Sequence, residues 1–145
     1  MNLFISLFDK GSGELLEVIK DFNPTIHFLA VEDKGRFDAA RGNLEVEECL
    51  RGVCVKKYYP QHFWDYIVCR VKNINSSWWE DCAGDLNIDK IKYCARGPEG
   101  KGLLKENVSL NKETQVMFGP AYLLDNQEVF GTQGVPTKEE LKSIL

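Results

Sequence analysis

The chain has 145 residues, of which 43% are hydrophobic, and this size and composition suit a single domain over residues 1–145 with a real core. The net charge is −4, and acidic and basic residues are interleaved, which argues against a nucleic-acid-binding surface and a polybasic membrane patch. No apolar run approaches the length of a membrane-spanning helix. We therefore expect no nucleic-acid partner and no membrane partner.

The first thirty residues predict a β-α-β unit. Residues 3–8 and 26–31 are short apolar runs typical of buried strands, and residues 14–20 have apolar side chains at helical spacing. Ser12 is the predicted cap of that helix, and a right-handed crossover would make the two strands parallel. His27 lies within the second strand among apolar neighbours, where a structural role is expected more often than a catalytic one.

The middle of the chain changes character and predicts a helical insertion over approximately residues 37–114. A polar, glycine-containing loop over residues 32–43 precedes apolar residues that recur at three- and four-residue steps. The predicted helices cover residues 44–58, 62–72, 78–83, 88–95 and 101–114. Ser76 or Ser77 and Asn87 are suitable caps for the third and fourth of these helices.

The last thirty residues predict a β-β-α unit. Gly119-Pro120 leads into an apolar strand over residues 122–124, Asp125-Asn126 indicates a turn, and residues 128–130 can pair back as a second strand. A terminal helix begins at about Pro136. The two ends of the chain are expected to share one sheet, with the helical insertion packed on it.

All five cysteines lie between residues 49 and 94, which indicates disulfides, a metal site or redox chemistry. The spacing of cysteine and histidine matches no zinc pattern, so neither a metal nor a cofactor is expected. Hairpin geometry brings several pairs within reach, and simple arithmetic about Pro60 would pair Cys49 with Cys69. Spacing alone leaves the connectivity open.

With these features in view, the chain resembles the thioredoxin-fold thiol–disulfide oxidoreductases, in particular the DsbA-like and gamma-interferon-inducible lysosomal thiol reductase group. The resemblance covers most of the chain. It is carried by Arg41-Gly42, residues 45–54, Cys69, residues 79–83, residues 91–104, Gly119-Pro120 and residues 134–145.

The resemblance implies a thioredoxin-like fold with a cysteine-containing helical insertion and a cis peptide bond before Pro120. It also implies structural disulfides Cys54–Cys69 and Cys82–Cys94, with Cys49 as a free thiol. The family's C-x-x-C motif, however, would lie in the loop after the first strand, where a helix N-terminus lowers a thiol pKa. Residues 6–12 contain no cysteine, so redox activity does not carry over.

The main hypothesis is a divergent, redox-inactive domain that binds a polypeptide or partner protein at the Pro120 edge. Its predicted site comprises Phe8, Asp9, Lys10, Gly11, Ser12, Phe118, Gly119 and Pro120. One alternative is an active oxidoreductase that uses Cys49 and Cys54, and another is a purely structural accessory domain. Whether the protein is an enzyme stays open, and an extracytoplasmic or secretory compartment is favoured if the disulfides form.

Overall fold

The computed structural model describes residues 2–114, 121–124, 127–130 and 137–144. It begins with the predicted β-α-β unit, formed by β1 (Asn2–Ile5), α1 (Lys10–Ile19) and β2 (Thr25–Phe28). The two strands are parallel, with Leu3 opposite Ile26. Because β1 is a central strand covered on both faces, its three apolar residues are fully buried.

The first helix starts earlier than predicted. Asp9, and not Ser12, is its N-cap residue, and the Asp9 carboxylate accepts a 2.8 Å hydrogen bond from the backbone N–H of Gly11. The predicted strand over residues 3–8 ends at Ile5, because the chain turns at Ser6, whose carbonyl accepts from the N–H of Asp9 at 3.1 Å. Ser12 therefore lies inside the first turn of α1.

A short hairpin that the sequence analysis missed follows β2. Its strands are β3 (Val31–Asp33) and β4 (Arg36–Asp38), which pair antiparallel. Lys34 and Gly35 both have positive φ angles, 51° and 81°, which is the backbone of a type I′ turn. Residues 36–38 are consequently a strand, and the helical segment begins only at residue 43.

The helical segment contains the five predicted helices, with changed bounds. They are α2 (Asn43–Tyr58), α3 (Phe63–Lys72), α4 (Glu80–Ala83), α5 (Ile88–Arg96) and α6 (Pro98–Thr114). The last of these begins at Pro98, because proline has no N–H to lose at a first helical position and its fixed φ suits a helix. Asn87 caps α5 as predicted, accepting from the N–H of Lys90 at 3.1 Å.

The chain ends with β5 (Ala121–Leu124), β6 (Gln127–Phe130) and α7 (Lys138–Ile144). The sheet order is β2-β1-β5-β6, with β5 antiparallel to β1 and β6 antiparallel to β5. The prediction that the two ends of the chain share one sheet is thus confirmed, and the fold is mixed α/β. The predicted site residues Phe118, Gly119 and Pro120 lie outside the described residues.

Two contacts join the helical segment to the sheet. Gly52 of α2 lies against the ring of Phe28, so closely that a Cβ at that position would be 2.6 Å from Phe28 Cζ. On the other side, the Asn107 amide of α6 brackets the main chain of Phe28. Its Oδ1 accepts from the Phe28 N–H at 2.9 Å and its Nδ2 donates to the Phe28 carbonyl at 2.6 Å. Hydrogen bonds to a side-chain amide therefore satisfy the backbone N–H and carbonyl groups at the end of β2.

Candidate functional site

A groove of about 890 Å³ runs between the start of α1 and the end of α3. One wall comes from the turn after β1 and from α1, and the other from α3 and the loop that follows it. The lining residues are Leu7, Phe8, Asp9, Gly13, Glu14, Glu17 and Val18 on the first wall, and Val68, Val71 and residues 72–76 on the second. The groove thus lies where the sequence analysis placed the first half of the site.

The predicted site residues at the start of α1 divide into lining and supporting residues. Phe8 and Asp9 line the groove, and Gly11 donates the N–H that fixes the Asp9 carboxylate. Lys10 is the first residue of α1. Ser12 is fully buried, and its hydroxyl has no hydrogen-bond partner among the described residues. Ser12 therefore supports the first wall from inside and does not line the groove.

Aliphatic and aromatic side chains form the floor of the groove. Leu7 is 1% exposed, and Phe8, Val68 and Val71 are half-buried. The walls approach closely because Gly13 has no side chain, and a Cβ there would lie 2.7 Å from Val71 Cγ1. An apolar floor of this kind is typical of sites that accept apolar side chains of a ligand.

Acidic side chains dominate the rim of the groove. Asp9, Glu14 and Glu17 line it, and the one basic lining residue is Lys72, whose Nζ lies 2.7 Å from Glu17 Oε1. This hydrogen bond, together with the Lys72 charge, lowers the pKa of the Glu17 carboxyl. Because Lys72 is already paired, Asp9 and Glu14 give the rim a surplus of negative charge.

The cysteines pair differently from the pairing that the resemblance implied. The disulfides are Cys54–Cys94, which joins α2 to α5, and Cys69–Cys82, which joins α3 to α4. The same four cysteines are bonded, but not as Cys54–Cys69 and Cys82–Cys94. The reason is that α2 packs against α5 as well as against α3, so Cys54 reaches Cys94 on α5, and Cys69 bonds to Cys82 on α4, which packs against α3.

Cys49 is the free cysteine and is 1% exposed. Burial raises its thiol pKa well above the usual value, and the nearby Glu45 and Glu48 carboxylates raise it further. The thiolate, which is the reactive form, is therefore disfavoured at neutral pH. The described lining of the groove contains none of the five cysteines.

Sequence reasoning missed a buried ion network behind Cys49. Glu48 Oε1 accepts from Arg70 Nε at 2.5 Å and from the Tyr66 hydroxyl at 3.0 Å, and Glu48 Oε2 accepts from Arg51 Nε at 2.7 Å. Burial and the Glu48 charge raise the pKa of Tyr66. One carboxylate thus balances two guanidinium groups. A glutamate and two arginines on helices normally indicate exposed faces, so their charges did not predict this network.

A second buried carboxylate anchors the turn after β1. Glu45 Oε2 accepts a 2.7 Å hydrogen bond from the Ser6 hydroxyl, and Glu45 Oε1 accepts from the N–H of Arg41 at 3.1 Å. Glu45 lies in the first turn of α2, where a helix N-terminus favours negative charge. The turn that presents Phe8 and Asp9 to the groove is therefore held in place by α2.

His27 is a structural residue in this fold. Its Nε2 lies 2.8 Å from Asn2 Oδ1, and its ring stacks on Phe4 with centroids 4.9 Å apart. Burial, and then the charge of Lys56, lower the His27 pKa to about 4. Within the described residues, no group of three histidine, cysteine or acidic side chains is arranged to hold a metal ion. In the same part of the chain, no helix is both long and apolar enough to cross a membrane.

No known family model matches the chain, and no curated protein is similar enough to indicate a relative.

Proposed function

We propose that this protein is a divergent thioredoxin-like domain, redox-inactive, that binds an extended segment of a polypeptide in the groove beside α1. The arrangement of the strands supports the thioredoxin-like part of the proposal. A parallel β-α-β unit and an antiparallel β-β-α unit meet in one sheet, with β1 and β5 in the centre. This agrees with the order that the resemblance led us to expect.

The observation that carries the proposed function is the position of the groove. It opens at Phe8 and Asp9, at the N-terminus of α1, which is where the resemblance places the redox site of the family. A binding surface can be retained after the reactive thiols are lost, because apolar contacts and an acidic rim do not depend on a thiol. We therefore assign the groove to binding and not to turnover.

The chemistry of the five cysteines supports redox inactivity. Four of them are in disulfides within the helical segment, and Cys49 is buried with a raised thiol pKa. The alternative use of Cys49 with Cys54 as a redox couple would require breaking the Cys54–Cys94 bond first. In an insulin-reduction assay we expect no turnover by the wild type or by Cys49→Ala, whereas turnover that Cys49→Ala abolishes would overturn the proposal.

The groove favours one kind of peptide. Its floor accepts apolar side chains, and the rim carboxylates of Asp9 and Glu14, which form no ion pair with a described residue, favour lysine or arginine near them. In an extended segment, alternate side chains point to opposite sides, so a peptide that alternates apolar and basic residues presents one type to the floor and the other to the rim and solvent. The expected ligand is thus an extended, basic and moderately apolar segment.

Fluorescence polarisation with a labelled peptide of alternating valine and lysine tests this binding. We expect Phe8→Ala to weaken binding by about tenfold, because truncating a central aromatic contact typically costs more than about 1 kcal/mol. Tyr93→Ala is the matched control, since Tyr93 is 84% exposed on α5 and does not line the groove. Equal affinity of the two variants would refute the assignment of the groove.

A second experiment tests the relation to the oxidoreductases. Asp9→Cys with Ser12→Cys introduces a C-x-x-C motif at the N-terminus of α1, with the first position half-buried and the second fully buried. We expect the two introduced cysteines to form a disulfide on oxidation. In the reduced form, we expect the thiol at position 9 to have a pKa of about 7 because of the helix N-terminus.

The pH dependence of alkylation measures this pKa, and Ser12→Cys alone is the control, because a single buried thiol there should react slowly at all pH values. An ordinary pKa at position 9, with no disulfide between the introduced cysteines, would contradict a thioredoxin-like geometry at this turn.

A further inference from the structure

A second, smaller cavity of about 270 Å³ lies among α2, α5, the start of α6 and the residue before α4. Its charged and aromatic lining residues are Glu47, Arg51, Trp79, Lys92, Arg96 and Lys101. It shares no lining residue with the groove beside α1, and it contains no residue of the predicted site. Any ligand of this cavity would therefore occupy a site separate from that of the polypeptide proposed above.

The lining carries four basic side chains and one carboxylate. Arg51, Lys92, Arg96 and Lys101 converge on a space that is lined by a single acidic residue, Glu47. Like charges in one concave site raise the local positive potential, since the low-dielectric walls focus the field. The repulsion between these cations destabilises the protein without a ligand, and a bound anion reduces it.

The buried network behind the cavity does not neutralise this charge. Glu48 is bonded both to Arg51 and to Arg70, so its one negative charge is shared by two positive charges. The side chain of Arg51, 17% exposed, is the part of this network that lines the cavity. Because two bonds to Glu48 fix its guanidinium, little conformational entropy is lost when it binds an anion.

The charges of the other three basic residues are balanced weakly or not at all by acidic side chains among the described residues. Lys92 lies 3.8 Å from Glu80, at the outer limit of an ion pair. Arg96 and Lys101 are exposed, and neither forms an ion pair with any described residue. At least two cations of the cavity are thus available to a ligand.

Trp79 is the aromatic residue of the lining. It is 7% exposed, and the guanidinium carbon of Arg51 lies 5.3 Å from the centroid of its ring, in cation–π distance. Because this guanidinium already covers the indole ring, Trp79 contributes apolar contact together with Leu50 and Ala95, while the cations bind the anionic group of a ligand.

We propose that this cavity binds a phosphate or sulfate monoester carried on a single ring. The tetrahedral dianion or monoanion would lie between Arg51, Arg96 and Lys101. The ring would lie against the apolar part of the lining, which is formed by Leu50, Trp79 and Ala95. The volume is just below the range of about 300–1,000 Å³ for small-molecule sites, which suits one ring with one anionic group and not a larger ligand.

The indole N–H resonance of Trp79 reports on this site in a two-dimensional NMR titration at constant ionic strength. The probes are inorganic phosphate, inorganic sulfate and phenyl phosphate, and Trp64→Phe and Trp78→Phe assign the three indole signals. We expect a saturable shift with a Kd of about 1 mM for the stronger inorganic anion, and tighter binding of phenyl phosphate because of the added ring contact. The stronger of the two inorganic anions identifies the class of monoester.

Variants at the cavity separate site binding from general charge. Arg96→Gln and Lys101→Gln should each weaken binding by about fivefold, the effect of removing one charge near the anion, and Glu47→Gln should strengthen it. Lys112→Gln is the matched control, because it makes the same charge change on α6 about 16 Å further along the helix, beyond the screening distance. No saturable shift with any probe, or equal affinity of Lys101→Gln and Lys112→Gln, would overturn the proposal.

Discussion

The connectivity of the disulfides gives the sharpest prediction about this fold. The double variant Cys54→Ala/Cys94→Ala removes one complete disulfide of the structure and leaves Cys69–Cys82 intact. Only Cys49 then remains as a free thiol. With the pairing that the resemblance implied, the same variant would break both disulfides and leave Cys69 and Cys82 free as well.

The energetic consequence follows from the lengths of the closed loops. Cys54 and Cys94 are 40 residues apart in the sequence, and Cys69 and Cys82 are 13 apart. In the chain-entropy model, the first disulfide then contributes about 4 kcal/mol to the free energy of unfolding and the second about 3 kcal/mol. Cys54 and Cys94 are also buried, so their truncation loses packing and increases the difference.

Three measurements check this reasoning. Thiol counting under denaturing conditions should find one free thiol in both the wild type and Cys54→Ala/Cys94→Ala. Peptide mapping without reduction should find the two linked pairs of the structure. Urea unfolding should show a larger loss for Cys54→Ala/Cys94→Ala than for Cys69→Ala/Cys82→Ala. Three free thiols in the first variant, or a linked Cys54–Cys69 peptide in the wild type, would refute the connectivity.

Three further predictions concern buried polar groups. Glu48→Gln should lower the free energy of unfolding by about 3–5 kcal/mol, because it leaves two arginines without their carboxylate. The same change at the exposed neighbour Glu47 should lower it by less than about 0.5 kcal/mol. Equal losses for the two variants in urea unfolding would contradict the argument. Asn107→Ala should cost about 1–3 kcal/mol, because both bonds to the Phe28 main chain are lost, and hydrogen exchange at the Phe28 amide should rise. The His27 pKa is lowered from 6.5 to about 4 in the fold, so the unfolded chain binds more protons between these values and stability should fall as the pH drops from 6.5 towards 4. His27→Gln should flatten that part of the stability–pH curve, and an unchanged slope would exclude His27 as its source.

Apart from the hairpin of β3 and β4, the sequence was sufficient for the order of the elements. Apolar runs and helical spacing located the strands at both ends and five helices between them, because each pattern has a period that belongs to one type of structure. The predicted ends of the elements were less accurate where a single side chain determines the position of an end. Asp9 starts α1 in place of Ser12, since the aspartate lies before the first turn and its carboxylate reaches a backbone N–H. The turn signal at Lys34-Gly35 was present in the sequence but was read as part of a loop.

The contacts between elements could not be predicted from the sequence patterns. The cysteine pairing depends on which helices pack together, and α2 contacts both α3 and α5, so chain order does not decide between them. The Glu48 network could not be predicted, because a glutamate and two arginines on helices normally indicate exposed faces. Phe8 and Asp9 were predicted as binding residues, and both line the groove. The second wall was not predicted, since it depends on the close approach that Gly13 allows against Val71.

The second wall of the groove connects the disulfides to the proposed binding. The loop after α3 is held by Asn73, whose N–H and side-chain amide both donate to the carbonyl of Cys69, and by Arg70, which donates to the carbonyl of Asn73. The Cys69–Cys82 bond closes this loop from its far side. Reduction of that bond removes the closure but not the hydrogen bonds, so the wall should remain present and become less fixed. A less fixed wall must be ordered when the peptide binds, and this costs conformational entropy. Reduction of Cys69–Cys82 should therefore lower the affinity for the peptide, although neither cysteine lines the groove. The oxidation state of the protein would in this way influence binding without any redox chemistry in the site itself.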